Sequence, residues 1–208
     1  YSDGNSESIT LQRNHHTDVV GQVLSDNGTL EVNDYVATGN GANEDVPNYV
    51  YYNISEPTTF ENTVYNLDDH GAGMQFASTD GQMVTMENLY FTGNIWVIEL
   101  GEYRGGGYVK YNNTLNNVTL HNLSVSAGIE CHEWYFSPAV IAYGKTELNN
   151  CTMTGTTTTR GPITDKHGIT HDYIPVDMGV RNESDAVVNG GEYGTFFAWT
   201  HAVVDLNN

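Results

Sequence analysis

VTLHNLSVSAG (residues 118–128) and TELNNCTMTG (residues 146–155) align on an asparagine, Asn122 with Asn150, 28 positions apart. Each has an apolar residue two places before that Asn, another directly after it and another three places after it. A Gly follows soon after. The unit recurs as VTMENLYFTG (84–93) around Asn88, and more loosely as AVVNGGEYG (186–194) around Asn189 and LEVNDYVATG (30–39) around Asn33. The Asn-to-Asn steps are 55, 34, 28 and 39 residues. Five ordered copies with correlated apolar slots describe one supersecondary unit repeated along the chain. Its slots are Met86, Leu89 and Phe91, then Leu120, Leu123 and Val125, then Leu148, Cys151 and Met153. Glu192 falls where Phe91, Val125 and Met153 stand. A buried unpaired Glu is costly, so a local bulge at Gly190–Gly191 is expected there.

Between the copies lie short apolar segments: GMQFAS (73–78), IWVIEL (95–100), AVIAYG (139–144), IPVDMG (174–179) and FFAWTH (196–201). Each coil thus holds a short apolar strand, a turn, an Asn-marked strand and a Gly turn. No segment keeps a helical period. Asn suits such a turn because it tolerates left-handed backbone angles and its amide can bond to backbone or to the Asn of the next coil. Irregular spacing reflects loops inserted at turns, which stacked coils tolerate.

Over residues 30–208 this coil pattern resembles the right-handed parallel β-helix proteins of the pectin-lyase-like superfamily. The likeness rests on the pattern and on no catalytic motif. It implies an all-β fold: a single-stranded right-handed parallel β-helix, or solenoid, with inserted turn loops. Residues 1–70 read as an N-terminal cap or early irregular coils, and 71–208 as regular coils of one continuous domain. VVDLNN at 203–208 reads as the start of a further coil, whose open end would be continued or capped by another chain.

The 208 residues suit one domain and carry 26 acidic against 7 basic side chains, net −19; small soluble domains commonly carry about 2–8 charges of either sign. Such a surface repels phosphate backbones, which excludes nucleic acid as a partner. No apolar run approaches the ~18 residues of a membrane span. The chain begins at Tyr1 without a signal peptide, which reads as a mature or trimmed form. Abundant Asn, Thr, Gly and Tyr with scarce Lys point to an extracellular or cell-surface location. N-x-S/T sequons occur at Asn27, Asn53, Asn112, Asn117, Asn122, Asn150 and Asn182. No motif implies a cofactor, although the carboxylate surplus would admit capture of Ca²⁺. Cys131 and Cys151 would meet as a disulfide if neighbouring coils stacked them; alternatively, Cys151 is a small core residue.

In enzymes of the superfamily, sites lie on the outer face of one sheet, walled by long turn insertions. Two insertions stand out here, GEYRGGGYVKYNN (101–113) and TTTTRGPITDKHGITHDY (156–173). The second is dense in reactive types. If the chain is an enzyme, Lys166, Arg160, Asp165, Asp172, Asp177 and His167 are the candidates. Lys166 or Arg160 would act as the base of a lyase, and the carboxylates, with Glu99, as the pair of a glycosidase. His167 and His171, four apart, would share a face and hold a metal if they lay on a helix. LDDHGAG (67–73) has residue types found in polygalacturonases, but its Asp pair and His are contiguous and the other elements of that family are absent. NHHTD (14–18) lacks a partner set and reads as a solvated segment. A ligand-binding set follows from the aromatic residues of the apolar segments. Trp96, Trp134, Tyr135, Tyr143, Phe197 and Trp199 lie in or beside those segments; the outward ones would stack on sugar rings, with Glu99, Asp177 and His201 as polar neighbours and Arg104 among the cations for an anionic ligand. The leading expectation is an adhesin-like surface protein, or a fragment of one, that binds a polysaccharide or glycan. The alternatives are a polysaccharide lyase or glycoside hydrolase acting on an acidic polysaccharide, and a purely structural stalk.

Overall fold

The computed structural model describes the backbone of residues 9–11, 16–19, 23–25, 29–32, 49–54, 57–78, 83–104, 107–109, 111–131 and 134–207. Side chains are described from residue 57 onward, except 66–75, 77–83, 102–111, 131–133 and 208. Among the described residues there is no helix. Most strands belong to one 20-stranded sheet. Its pairings among the described residues are parallel, apart from the hairpin of Ile129–Cys131 with Trp134–Phe136. Parallel neighbours require a crossover of a dozen or more residues, and here the chain supplies one on every return.

The apolar segments stack as their sequences suggest. Met74, Ile98, Val140, Met178 and Phe196 pair in turn, and Phe76, Leu100, Ala142, Val180 and Ala198 form the next column. Strands starting at Ile9 join the same sheet, for example Leu30 beside Tyr65 and Tyr52 beside Phe76.

The Asn-marked strands are repeats as well, but in a different register from the one their sequences suggest. Leu148 pairs with Leu115, and Leu115 with Met86. The partner of Asn150 is therefore Asn117, and Asn122 sits one corner further on. There it follows Leu120, which pairs with Phe91 and Met153, and it stacks between Gly93 and Gly155. Five returns of the chain share one true frame: TFENTVY (59–65), TMENLYF (85–91), TLNNVTL (114–120), ELNNCTM (147–153) and VVNGGEY (187–193). Asn33 lies outside the described residues.

This frame makes the Asn doublets intelligible. The fourth position takes a left-handed backbone, with φ of 53° at Asn62, 54° at Asn88 and Asn117, 50° at Asn150 and 68° at Gly190. Asn tolerates that conformation better than other side-chain-bearing residues. Its amide then bonds along the stack: Asn117 Nδ2 donates to Asn88 Oδ1 at 3.3 Å, and Asn88 Nδ2 to Asn62 Oδ1 at 3.2 Å. A second row runs beside it. Asn149 donates to Asn116 at 2.8 Å, Asn189 to Asn149 at 2.8 Å and Asn207 to Asn189 at 2.9 Å. Backbone pairing continues through the corner, with Asn88 N donating to Asn116 O and Asn117 N to Asn149 O.

Positions two, five and seven of the frame point inward. Met86, Leu115 and Leu148 fill the first of these columns, and Leu89, Val118 and Cys151 the second. Tyr65 and Phe91 stack their rings 4.6 Å apart in the third. Each fully buried side chain of this size stabilises by about 1.5–3 kcal/mol. Cys151 is a free, buried thiol whose Sγ–H donates to Leu115 O at 3.3 Å, so the Cys131–Cys151 disulfide does not form. Burial raises its pKa above the ordinary thiol value. Glu192 is exposed beside Thr152, while Tyr193 takes the inward slot next to Met153. The pairing with 147–153 keeps one register through Gly190–Gly191, so the expected bulge does not form; Asn189 stands opposite Asn149, not Asn150, and this puts Glu192 at an outward position. Leu206 continues the column of Val188 and stands 73% exposed.

Gly191 has a φ of 102°, and a Cβ there would strike the Cys151 carbonyl oxygen. Gly191→Ala is expected to cost about 1–3 kcal/mol of unfolding free energy. Gly161→Ala, where a Cβ meets nothing within 4 Å, should stay within about 0.5 kcal/mol of the parent. Chemical denaturation of the two variants checks the contrast.

Candidate functional site

The insertion 156–173 leaves the stack at the Gly155 corner and is clamped at both ends. At its start, Thr157–Thr158 pair with Ser124–Val125. Ser137 Oγ bonds Ala127 O and Thr158 Oγ1, each at 2.7 Å. Asp177 holds the same corner from beneath: Oδ1 accepts from Thr156 N at 3.0 Å and Oδ2 from Thr195 N at 2.6 Å. At the insertion's end, Ile174 pairs with Phe136. Asp177 is buried and both its oxygens are committed to backbone amides. Its role is to join successive corners.

Between the clamps, Ile163–Thr164 and Thr170–His171 form an antiparallel hairpin. The helix on which His167 and His171 would share a face does not form. Asp165 closes the tip. Its Oδ1 accepts from His167 N at 2.8 Å and from Ile169 N at 2.9 Å, and its Oδ2 meets His171 Nε2 at 2.9 Å. The His171 hydrogen bond, then the Ile169 amide, holds the Asp165 carboxyl below its ordinary value. Lys166, His167 and Asp172 are exposed around this tip. Among the described residues, no three His, Cys, Asp or Glu side chains gather as metal ligands.

The hairpin leans on aromatic rings. His171 lies 5.0 Å from the Tyr135 ring, and Tyr135 meets the edge of Tyr173 at 5.7 Å. Tyr173 is buried over Gly128, where a Cβ would come within 2.7 Å of its ring. Beyond Tyr173 opens a cleft of about 430 Å³ walled by Trp96, Ser126, Thr159, Arg160, Ile163 and Tyr173. The Arg160 guanidinium carbon stands 6.0 Å from the Trp96 ring centre and 5.8 Å from that of Tyr173. These are the outer limits of cation–π contact. Among the described residues no acidic side chain lines the cleft and Arg160 has no carboxylate partner. A second cleft of about 540 Å³, on the outer face of the Asn-marked strands, has the opposite character. Lys145 lies there among Glu147, Asp185 and Asp205.

Of the residues singled out in the sequence, Trp96 and Arg160 meet at the first cleft, and Asp165 meets His171. Glu99 and Tyr143 also meet, the Tyr143 hydroxyl donating to Glu99 Oε1 at 3.3 Å. Tyr143 and Trp199, however, are each only 4% exposed. Arg181 lies over both, its guanidinium carbon 4.8 Å from the Trp199 ring and 6.0 Å from that of Tyr143. Trp199 belongs to a second small core with Phe136 and Val176. These rings therefore form no outward ladder for sugars. His201 is exposed at a turn with a φ of 61°. Arg104 lies on the strand Glu102–Arg104, its side chain outside the described residues. Tyr173 is absent from the sequence-derived set although it lies in the second insertion, and Tyr135 stands in that set only as one ring of the aromatic ladder. Trp134, one residue from Tyr135, is 62% exposed.

The chain matches no protein-family model, no curated protein and no solved structure. Among the described residues no helix is long and apolar enough to cross a membrane.

Two outcomes are expected. Asp177→Asn, which supplies one acceptor oxygen where two are used, should cost about 1–3 kcal/mol in chemical denaturation. For Asp165 the folded-state pKa is lowered, so its contribution is present above the ordinary Asp value of about 3.9 and is lost as pH falls through the lower, folded-state value. Amide NMR shifts of His167 and Ile169 should therefore titrate with a midpoint below about 4. A midpoint at or above that value would contradict the hairpin geometry.

Proposed function

We propose that the stack is a right-handed parallel β-helix and that the chain is an extracellular, adhesin-like protein whose 156–173 insertion binds a glycan. The hand follows from the strong bias of parallel crossovers, right-handed in about 98% of cases. The observation that carries the binding role is the cleft in which Trp96 and Tyr173 flank a cation that, among the described residues, has no carboxylate beside it. Aromatic faces suit the apolar faces of sugar rings. An Arg with no carboxylate partner among the described residues suits the carboxylate of an acidic sugar. A binding role is favoured over glycoside hydrolysis because, among the described residues, the cleft wall holds no carboxylate pair; a lyase with Arg160 as its base is distinguished by the unsaturated-product readout below. The extracellular location rests on composition, since Asn117, Asn122 and Asn150, three of the sequon residues, already have a role as left-handed corners.

The test is a panel of acidic and neutral polysaccharides, read for binding, for unsaturated products and for new reducing ends. Binding without products is expected, with Trp96→Ala weakening it about tenfold or more. Product formation would move the chain to the lyases or hydrolases. Absence of binding across the panel, or binding indifferent to Trp96, would overturn the proposal.

A further inference from the structure

We infer that His171 is the positioning residue of the cleft: it sets Tyr173, and through Tyr173 the guanidinium of Arg160. The inference rests on the binding role proposed for that cleft and adds to it a residue that does not line it. The contacts run without a break. Asp165 Oδ2 fixes one edge of the imidazole at 2.9 Å, and the ring lies against Tyr135 at 5.0 Å with a tilt of 33°. Tyr135 presses edge-on against Tyr173, the planes at 76°. Tyr173 in turn faces Arg160 at 5.8 Å and forms a wall of the cleft.

Three features give this chain of contacts direction. First, the Tyr135 ring touches both His171 and Tyr173, which stand two residues apart in the chain. A displacement of the imidazole therefore reaches Tyr173 through a ring that already contacts it. Second, Tyr173 has little room to respond otherwise, since it is buried against Gly128 at contact distance. Third, Asp165 also accepts the His167 and Ile169 amides. The anchor of the imidazole is thus the group that shapes the hairpin tip. Arg160 has its backbone N–H bonded to Thr158 Oγ1 at 3.0 Å, but among the described residues its guanidinium is placed only by the two rings. A long side chain held by weak ring contacts depends on where those rings stand. Cooperative networks of this kind couple residues that do not touch.

The experiment is a double-mutant cycle in the full chain, read as the dissociation constant for the tightest-binding polysaccharide of the panel, with a thermal melt of each variant. His171→Ala is expected to weaken binding about three- to thirty-fold. In an Arg160→Ala background the same change should have almost no further effect, because the group it positions is gone. His171→Gln, which keeps a donor for Asp165 but loses the ring on Tyr135, should recover stability while remaining weak in binding. Equal, additive losses with and without Arg160 would overturn the inference, as would full binding by His171→Ala or by His171→Gln. Should His171→Ala not fold, the cycle is run with His171→Gln alone under the same two criteria. If the parent chain binds but the cycle is additive, only this inference fails. A parent chain that binds nothing removes the binding role and this inference with it.

Discussion

Everything in this molecule depends on keeping parallel strands in register around a sharp corner. A corner breaks the alternation of side chains and forces some residue into the left-handed region, where most side chains are strained. Asn meets both needs. It accepts φ near 50° at Asn62, Asn88, Asn117 and Asn150, and its amide offers a donor and an acceptor to the returns above and below. A carboxamide row is directional and indifferent to what the rest of each return does. Once the corner is fixed, positions two, five and seven must face inward, and the apolar columns follow.

The corner also explains what the sequence could and could not reveal. The segments 73–78, 95–100, 139–144, 174–179 and 196–201 were legible because each is a short apolar run bounded by turn residues, and all five stack. The register of the Asn strands was not. One return has two left-handed corners five residues apart, Asn117 and Asn122, each flanked by apolar residues at similar offsets. An alignment on a single Asn cannot tell them apart. The doublets Asn116–Asn117 and Asn149–Asn150 do tell them apart, once the amide row is known to need one residue and the left-handed turn the next.

The candidate site was half legible for a related reason. Trp96 and Arg160 stand out by type and by their place beside or within an insertion. Outward alternation was expected to expose Tyr143 and Trp199, but a strand's period of two reveals only the face, not what later covers it. Phe136, Val176 and Trp199 make a second core apart from the main columns, with Gly179 leaving room for the Trp199 ring. Asp177 looks like a catalytic carboxylate in sequence and proves to be a clamp. Only the positions of Thr156 and Thr195, 21 and 18 residues away in the chain, distinguish the two roles.

The spacing of the left-handed corners carries a last consequence. Successive members from Asn62 to Gly190 are 26, 29, 33 and 40 residues apart, yet the strands they connect stack without offset. Extra length is stored between stacked anchor points, as in the stretch that leaves after Thr158 and rejoins at Ile174. Such an architecture separates inheritance of the scaffold from inheritance of the binding surface. Insertions, deletions or wholesale exchange between those anchors leave the buried columns untouched. Descendants of such a chain could diversify what they recognise while the scaffold beneath stayed the same.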